Sequence, residues 1–204
     1  MSNSNTFKVP SKTVMDTQEI KGSKFITTVS RAVNKLAAKE FIDSIRQKYI
    51  DATHNCYAYI AGNPYSTTDI GFGDDGEVPG TAGKPMLSVL QHKKIGEIVV
   101  VVTRYFGGTK LGTGGLVRAY TRSVQKALDK LILEEYHPLI TVNISFDFQY
   151  ENSVRQVLNI HNIQIAQSDY GQKVIFRIVL NESVYNQLMD DLNNTLSGNI
   201  KIEN

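Results

Sequence analysis

Ile98-Val99-Val100-Val101-Val102-Thr103-Arg104-Tyr105-Phe106-Gly107-Gly108-Thr109-Lys110-Leu111-Gly112-Thr113-Gly114-Gly115-Leu116-Val117-Arg118-Ala119-Tyr120 reads as strand, loop and helix in one pass. The aliphatic run Ile98–Val102 is far short of the roughly 20 apolar residues that cross a bilayer. It fits a central strand buried on both faces. Five glycines in the nine residues 107–115 open backbone angles that side chains forbid. From Leu116 to Leu131, Val117, Tyr120, Val124, Ala127, Leu128 and Leu131 share one helical face. A buried strand feeding an amphipathic helix predicts an α+β domain, with helices packed on a sheet.

The same reading extends outward. Val14 to Ile20 and Phe25 to Arg31 are predicted as paired strands around Lys21-Gly22-Ser23. Asn34 opens a helix to Tyr49, with Leu36, Ala37, Phe41, Ile45 and Tyr49 inward. His54 to Ala61 is a further strand, 62–83 a glycine-rich loop, and Pro85 to His92 a short helix. Beyond His137-Pro138 the pattern changes. Ile140, Val142, Ile144, Phe146 and Phe148 alternate with polar residues. A helix over Glu151–His161 follows, with Val154, Val157, Leu158 and Ile160 at helical spacing. Two strands joined through Gly171-Gln172, a helix from Asn181 and a short last strand at Ile200–Ile202 complete the order β-α-β-β-α-β, the ferredoxin-like pattern. Charge shifts at the same place. Residues 1–135 carry 18 Lys and Arg against 13 Asp and Glu, and residues 136–204 carry 4 against 7. The expected domains are 1–137 and 138–204.

The 204 residues are 41% hydrophobic and 21% charged, enough to fill a core. One cysteine excludes a disulfide framework and a Cys-rich zinc fold. The polar start Met1-Ser2-Asn3-Ser4 shows no signal peptide, so a soluble cytoplasmic protein without membrane partners is expected.

Chemistry concentrates in two segments. The glycine loop delivers the chain to a helix N-terminus, where free N–H groups and the helix dipole favour anions. Arg104 and Lys110 add positive charge, and Arg118, Arg122, Lys126 and Lys130 recur every four residues along one helical face. The phosphate or nucleic-acid contact set is therefore Arg104, Gly107, Gly108, Lys110, Gly112, Gly114, Gly115, Arg118, Arg122 and Lys126. The competing reading is a tight packing turn followed by a solvated helix face. Tyr105 and Phe106 are available for base stacking or for the core. The second segment is Gly71 to Pro85, where Asp74, Asp75 and Glu77 offer either Mg²⁺ ligands or turn caps. The turn role is favoured and no metal is assigned. A Walker A loop fails, because Val78 and Pro85 stand where Gly and Ser/Thr are required. No G-x-S-x-G or H-E-x-x-H occurs, and no catalytic residue is assigned.

Lys21-Gly22-Ser23-Lys24-Phe25, Asp51 to Tyr59, Asp74-Asp75-Gly76-Glu77, Gly80 to Pro85, Val101 to Gly108 and Gly114 to Tyr120 resemble the IMPACT/YigZ family in order and spacing. The resemblance spans roughly residues 15–130, and residues 139–204 look like the small C-terminal domain of its bacterial members. It departs at Val78, where the family pattern has Pro. The resemblance implies an N-terminal domain of the ribosomal-protein/GHMP-kinase type and a ferredoxin-like second domain, similar to domains IV and V of elongation factor G. It implies binding to RNA, the ribosome or a translation-related protein. With the basic first domain, the glycine loop and the row Arg118, Arg122 and Lys126, the leading expectation is a non-enzymatic protein of translation regulation that binds nucleic acid or the ribosome, with no cofactor. The alternative is an enzyme or binding protein for a phosphorylated small molecule or nucleotide. The oligomeric state is open.

Overall fold

In the computed structural model, which describes residues 6–203, Phe7–Tyr136 form one compact unit and the chain from His137 onward forms the bulk of another. The first unit is built on five strands: β2 (Val14–Ile20), β3 (Ser23–Arg31), β4 (His54–Ile60), β5 (Ile70–Gly73) and β6 (Ile98–Tyr105). Their order is β2-β3-β6-β4-β5, with every neighbouring pair antiparallel. The aliphatic run thus takes the centre, as its composition demands.

Helices α2 (Gly83–Lys93) and α3 (Thr113–Leu128) cover one face, and α1 (Lys35–Lys48) covers the other. Under α2 and α3 lie Phe25, Val29, Cys56, Ala58, Ile98, Val100 and Val102, packed on Met86, Leu90, Leu116, Tyr120 and Val124. Under α1 lie Tyr59, Val99 and Val101, packed on Ala38, Ile42 and Ile45. The period-2 alternation of β6 therefore feeds two cores. A small antiparallel ribbon pairs β1 (Phe7–Pro10) with β7 (Leu133–Tyr136).

Three expectations need correction. On α1, Ile45 is buried and Ala37, Phe41 and Tyr49 pack on the core as expected, but Leu36 is exposed and Ala38 and Ile42 are the further buried positions. The segment read as all loop contains β5. Its Gly71 and Gly73 lie under the rings of Tyr59 and Tyr57, where an added Cβ would come within 2.4–2.5 Å of ring atoms. Glycine here accommodates aromatic neighbours within a strand. Helix α3 starts at Thr113 and stops at Leu128, so Gly114 and Gly115 belong to its first turn. Lys130 lies past its end and pairs with Asp16.

The second unit runs β8 (Leu139–Phe146), α4 (Glu151–Ile160), β9 (Ile165–Tyr170), β10 (Val174–Asn181), α5 (Glu182–Leu196) and β11 (Ile200–Glu203). Its sheet order is β11-β8-β10-β9, all antiparallel, the ferredoxin-like arrangement. Val142, Ile144, Phe146, Val174, Phe176 and Ile178 pack on Val154, Leu158, Leu188 and Leu192. Phe148 sits in a short 3₁₀ turn and Ile160 is exposed, against expectation. Among the described residues, no helix is long and apolar enough to cross a membrane.

Candidate nucleic-acid interface

The glycine-rich loop is shaped by one close approach. A Cβ on Gly107 would stand 1.9 Å from the carbonyl carbon and oxygen of Gly22, so the β2–β3 turn and the loop after β6 touch backbone to backbone. Ser23 Oγ accepts a hydrogen bond from the Gly107 N–H at 3.1 Å and fixes this contact. Gly108 and Gly112 take φ of +84° and +72°, where L-residues are strained. Gly112 then precedes α3, which has no side-chain N-cap hydrogen bond and no acidic residue in its first turn. The first N–H groups of the helix are thus left to solvent or a ligand. An ideal Cβ on Gly114 would lie 3.6 Å from Arg118 Nη1, so the Arg118 guanidinium folds back beside this turn.

Arg118, Arg122 and Lys126 are exposed on α3, and none has an ion-pair partner among the described residues. Lys110 is exposed in the loop. On either side of α3 lies a groove. One, about 740 Å³, runs between α2 and α3 past Lys84, Ser88, His92, Lys93 and Thr121. The other, about 660 Å³, runs between α3 and the Ile20–Lys21 turn past Arg118 and Arg122. Val117, Thr121 and Gln125 line both and form the crest between them. Val117, expected in the core, is therefore a groove residue. Lys21, Lys84, Lys93, Thr121 and Gln125 escaped the sequence reading because they sit on separate elements or outside the basic spacing.

Arg104 is the principal correction. It is 5% exposed and ion-paired to Glu77, itself 7% exposed. In β6 it continues the row Ile98, Val100, Val102 that faces α2 and α3, and its guanidinium lies over the rings of Phe25 and Phe106. Its charge is neutralised internally, so it offers no free cation to the loop. Tyr120 OH donates to Glu77 Oε2 at 3.0 Å, tying α3 to the same buried carboxylate. Of the two aromatics after it, Tyr105 donates to Asp51 at 2.8 Å and Phe106 is exposed.

The acidic segment serves the backbone. Asp74 accepts from the N–H groups of Gly80 (2.7 Å), Ala82 (3.2 Å) and Gly83 (2.8 Å), holding the start of α2. Asp75 accepts from the Asn55 N–H at 2.7 Å and from Arg46 at 2.8 Å. Asp75 and Gly76 take φ of +47° and +79°, and Glu77 N–H donates to Asp74 O, a type I′ turn pattern. The next turn follows from the unusual Val78-Pro79. Pro79 presets its own φ, Gly80 takes φ of +78°, and Thr81 N–H donates to Val78 O. The three carboxylates are thus consumed by protein donors, and the Mg²⁺ option for Asp74, Asp75 and Glu77 has no geometric support.

Cys56 is fully buried beside the same network, 2.9 Å from Asp74 O and 3.3 Å from Tyr120 OH. Burial pushes its thiol up to about 12. Burial also raises the Tyr120 phenol, with Cys56 and Glu77 adding to the effect. Neither group is an ionised nucleophile at neutral pH.

The sequence matches the Impact N-terminal domain over residues 21–128 and a domain of unknown function (DUF1949) over residues 144–199. It is 41% identical to the IMPACT family member YigZ of Escherichia coli strain K12, over 84% of each chain. It is 38% identical to an IMPACT family member of Haemophilus influenzae, over 97% of this chain and 96% of that one. A crystal structure described as that of a hypothetical protein superposes with a TM-score of 0.76 at 36% identity, covering 97% of this chain and 96% of that chain. With both domains matched in order and relatives aligned over most of their length, the chain belongs to the IMPACT family.

Proposed function

We propose that this protein is a non-enzymatic nucleic-acid-binding protein that acts on RNA or the ribosome in translation regulation. The observation that carries this reading is the row Arg118, Arg122 and Lys126, exposed on α3 without carboxylate partners among the described residues. The row begins at an uncapped helix start that has no acidic residue in its first turn. Unpaired cations beside free backbone N–H groups favour phosphate, and a linear row favours a polyanion over a single phosphate. The likeness to elongation factor G domains IV and V, implied by the family resemblance, accords with the two α+β units and supports the ribosomal context.

The engagement of Asp74 and Asp75 by backbone N–H donors, and the burial of Glu77 against Arg104, favour this reading over phosphoryl chemistry, which would need free metal ligands. The test is binding to purified ribosomes and to RNA across a salt series. Affinity falls steeply with salt as counterions are released. Arg118→Glu, Arg122→Glu and Lys126→Glu together abolish binding. Unchanged binding in that triple variant refutes the assignment of this surface.

A further inference from the structure

We infer that the nucleic acid recognised at this surface is duplex RNA in the A form, read through its backbone, with α3 lying along the minor groove. This rests on the nucleic-acid reading above and narrows it to one ligand class. The two grooves give α3 the shape of a ridge between two troughs. The crest is Val117, Thr121 and Gln125, shared by both. One trough is bordered by Lys84 and Lys93, the other by Lys21, Arg118 and Arg122. Among the described residues, no Asp or Glu lines either trough. The cation banks lie on opposite sides of the α3 crest, one on α2 and the other on α3 with the Lys21 turn. Two rows of cations flanking a ridge match two phosphate strands flanking a groove.

The crest chemistry selects the form of nucleic acid. Single-strand binders stack bases on aromatic rings. Neither trough is lined by Phe, Tyr or Trp. The polar groups near the crest are the Thr121 hydroxyl and the Gln125 amide, with Ser88 and His92 across the α2 trough. Hydroxyl and amide groups both donate and accept, as the ribose 2′-OH does. The wide, shallow minor groove of A-form RNA displays those 2′-hydroxyls to a protein surface, and its deep major groove does not admit side chains. Recognition by shape and by 2′-OH and phosphate contacts leaves sequence largely unread.

The experiment measures fluorescence anisotropy of four probes of one sequence: an RNA duplex, the DNA duplex, and each single strand. The RNA duplex is expected to bind about tenfold or more tightly than the other three, from 2′-OH contacts and A-form spacing. The paired substitution Thr121→Val and Gln125→Leu removes the crest hydrogen bonds and leaves the charges. It is expected to bring RNA and DNA duplex affinities together without changing the salt slope. Arg118→Glu with Arg122→Glu loses binding to every probe. Single-stranded RNA bound as tightly as the duplex, or DNA and RNA duplexes bound equally by the unaltered protein, overturns this inference and leaves the RNA-binding reading standing. Failure of all four probes together with ribosomes overturns that reading itself.

Discussion

Replacing Glu77 by Leu removes the counter-ion of Arg104 and leaves a guanidinium that is 5% exposed. The Arg104 Nε already lacks a hydrogen-bond partner, so little else in the core offsets its charge. Breaking a buried pair from one side costs about 3–5 kcal/mol, because the remaining charge stays desolvated. The loss of the Tyr120 hydrogen bond at 3.0 Å falls within the same change. In a unit of this size that lowers the midpoint by roughly 10–20 °C. Hydrogen exchange resolved by peptide separates the two units. Amides of β6 should lose about 3–5 kcal/mol of protection, while those of β8 and β10 stay within about 0.5 kcal/mol. The double variant Glu77→Leu with Arg104→Met removes both charges and should recover most of the loss, since apolar replacement of a whole buried pair is often neutral or stabilising. A single-variant loss below about 1 kcal/mol, or a double variant no more stable than Glu77→Leu, refutes the view that this pair is a dry, mutually dependent charge couple.

Cys56 should resist Ellman's reagent at pH 8 in the folded protein and react at once in denaturant, and prompt labelling of the native state contradicts its burial. Its thiol pKa is raised from 9.0 to about 12, so the protonated folded state is favoured. That contribution is complete below pH 9 and is lost as pH climbs toward 12, which an alkaline denaturation series on Cys56→Ala against the parent detects. Gly107→Ala would drive a methyl into the Gly22 backbone at 1.9 Å and should cost about 1–3 kcal/mol or more, whereas Gly114→Ala meets only Arg118 Nη1 at 3.6 Å and should stabilise α3 by up to about 1 kcal/mol. Equal melting temperatures for these two variants dispute the close approach of the two turns.

Local periodicity was enough to place most elements. Five aliphatic residues in a row could only become an interior strand, and β6 sits third of five. The alternation through β8 and β10 and the hairpin between β9 and β10 yielded the β-α-β-β-α-β order without any long-range information. The basic row on α3 was also legible, because 3.6-residue periodicity alone places Arg118, Arg122 and Lys126 together. Short elements were harder. The ribbon of β1 and β7 joins residues more than a hundred positions apart, and four-residue strands carry too little pattern to stand out.

The fate of each charge belonged to the tertiary structure. Arg104 neighbours the glycine loop in sequence, yet it extends the inward row of β6, and only the register with Phe25 and His54 shows that it lies beneath the loop. Its partner Glu77 comes from a turn 27 residues earlier, brought in by the backbone contacts of Asp74. The grooves likewise join Lys84 and Lys93 of α2 to the α3 ridge, a juxtaposition no local spacing encodes. Amphipathic patterning records which side of an element meets apolar matter, because that depends on its own residues. Which charge meets which depends on packing between distant segments, and so does whether a cation ends buried or free.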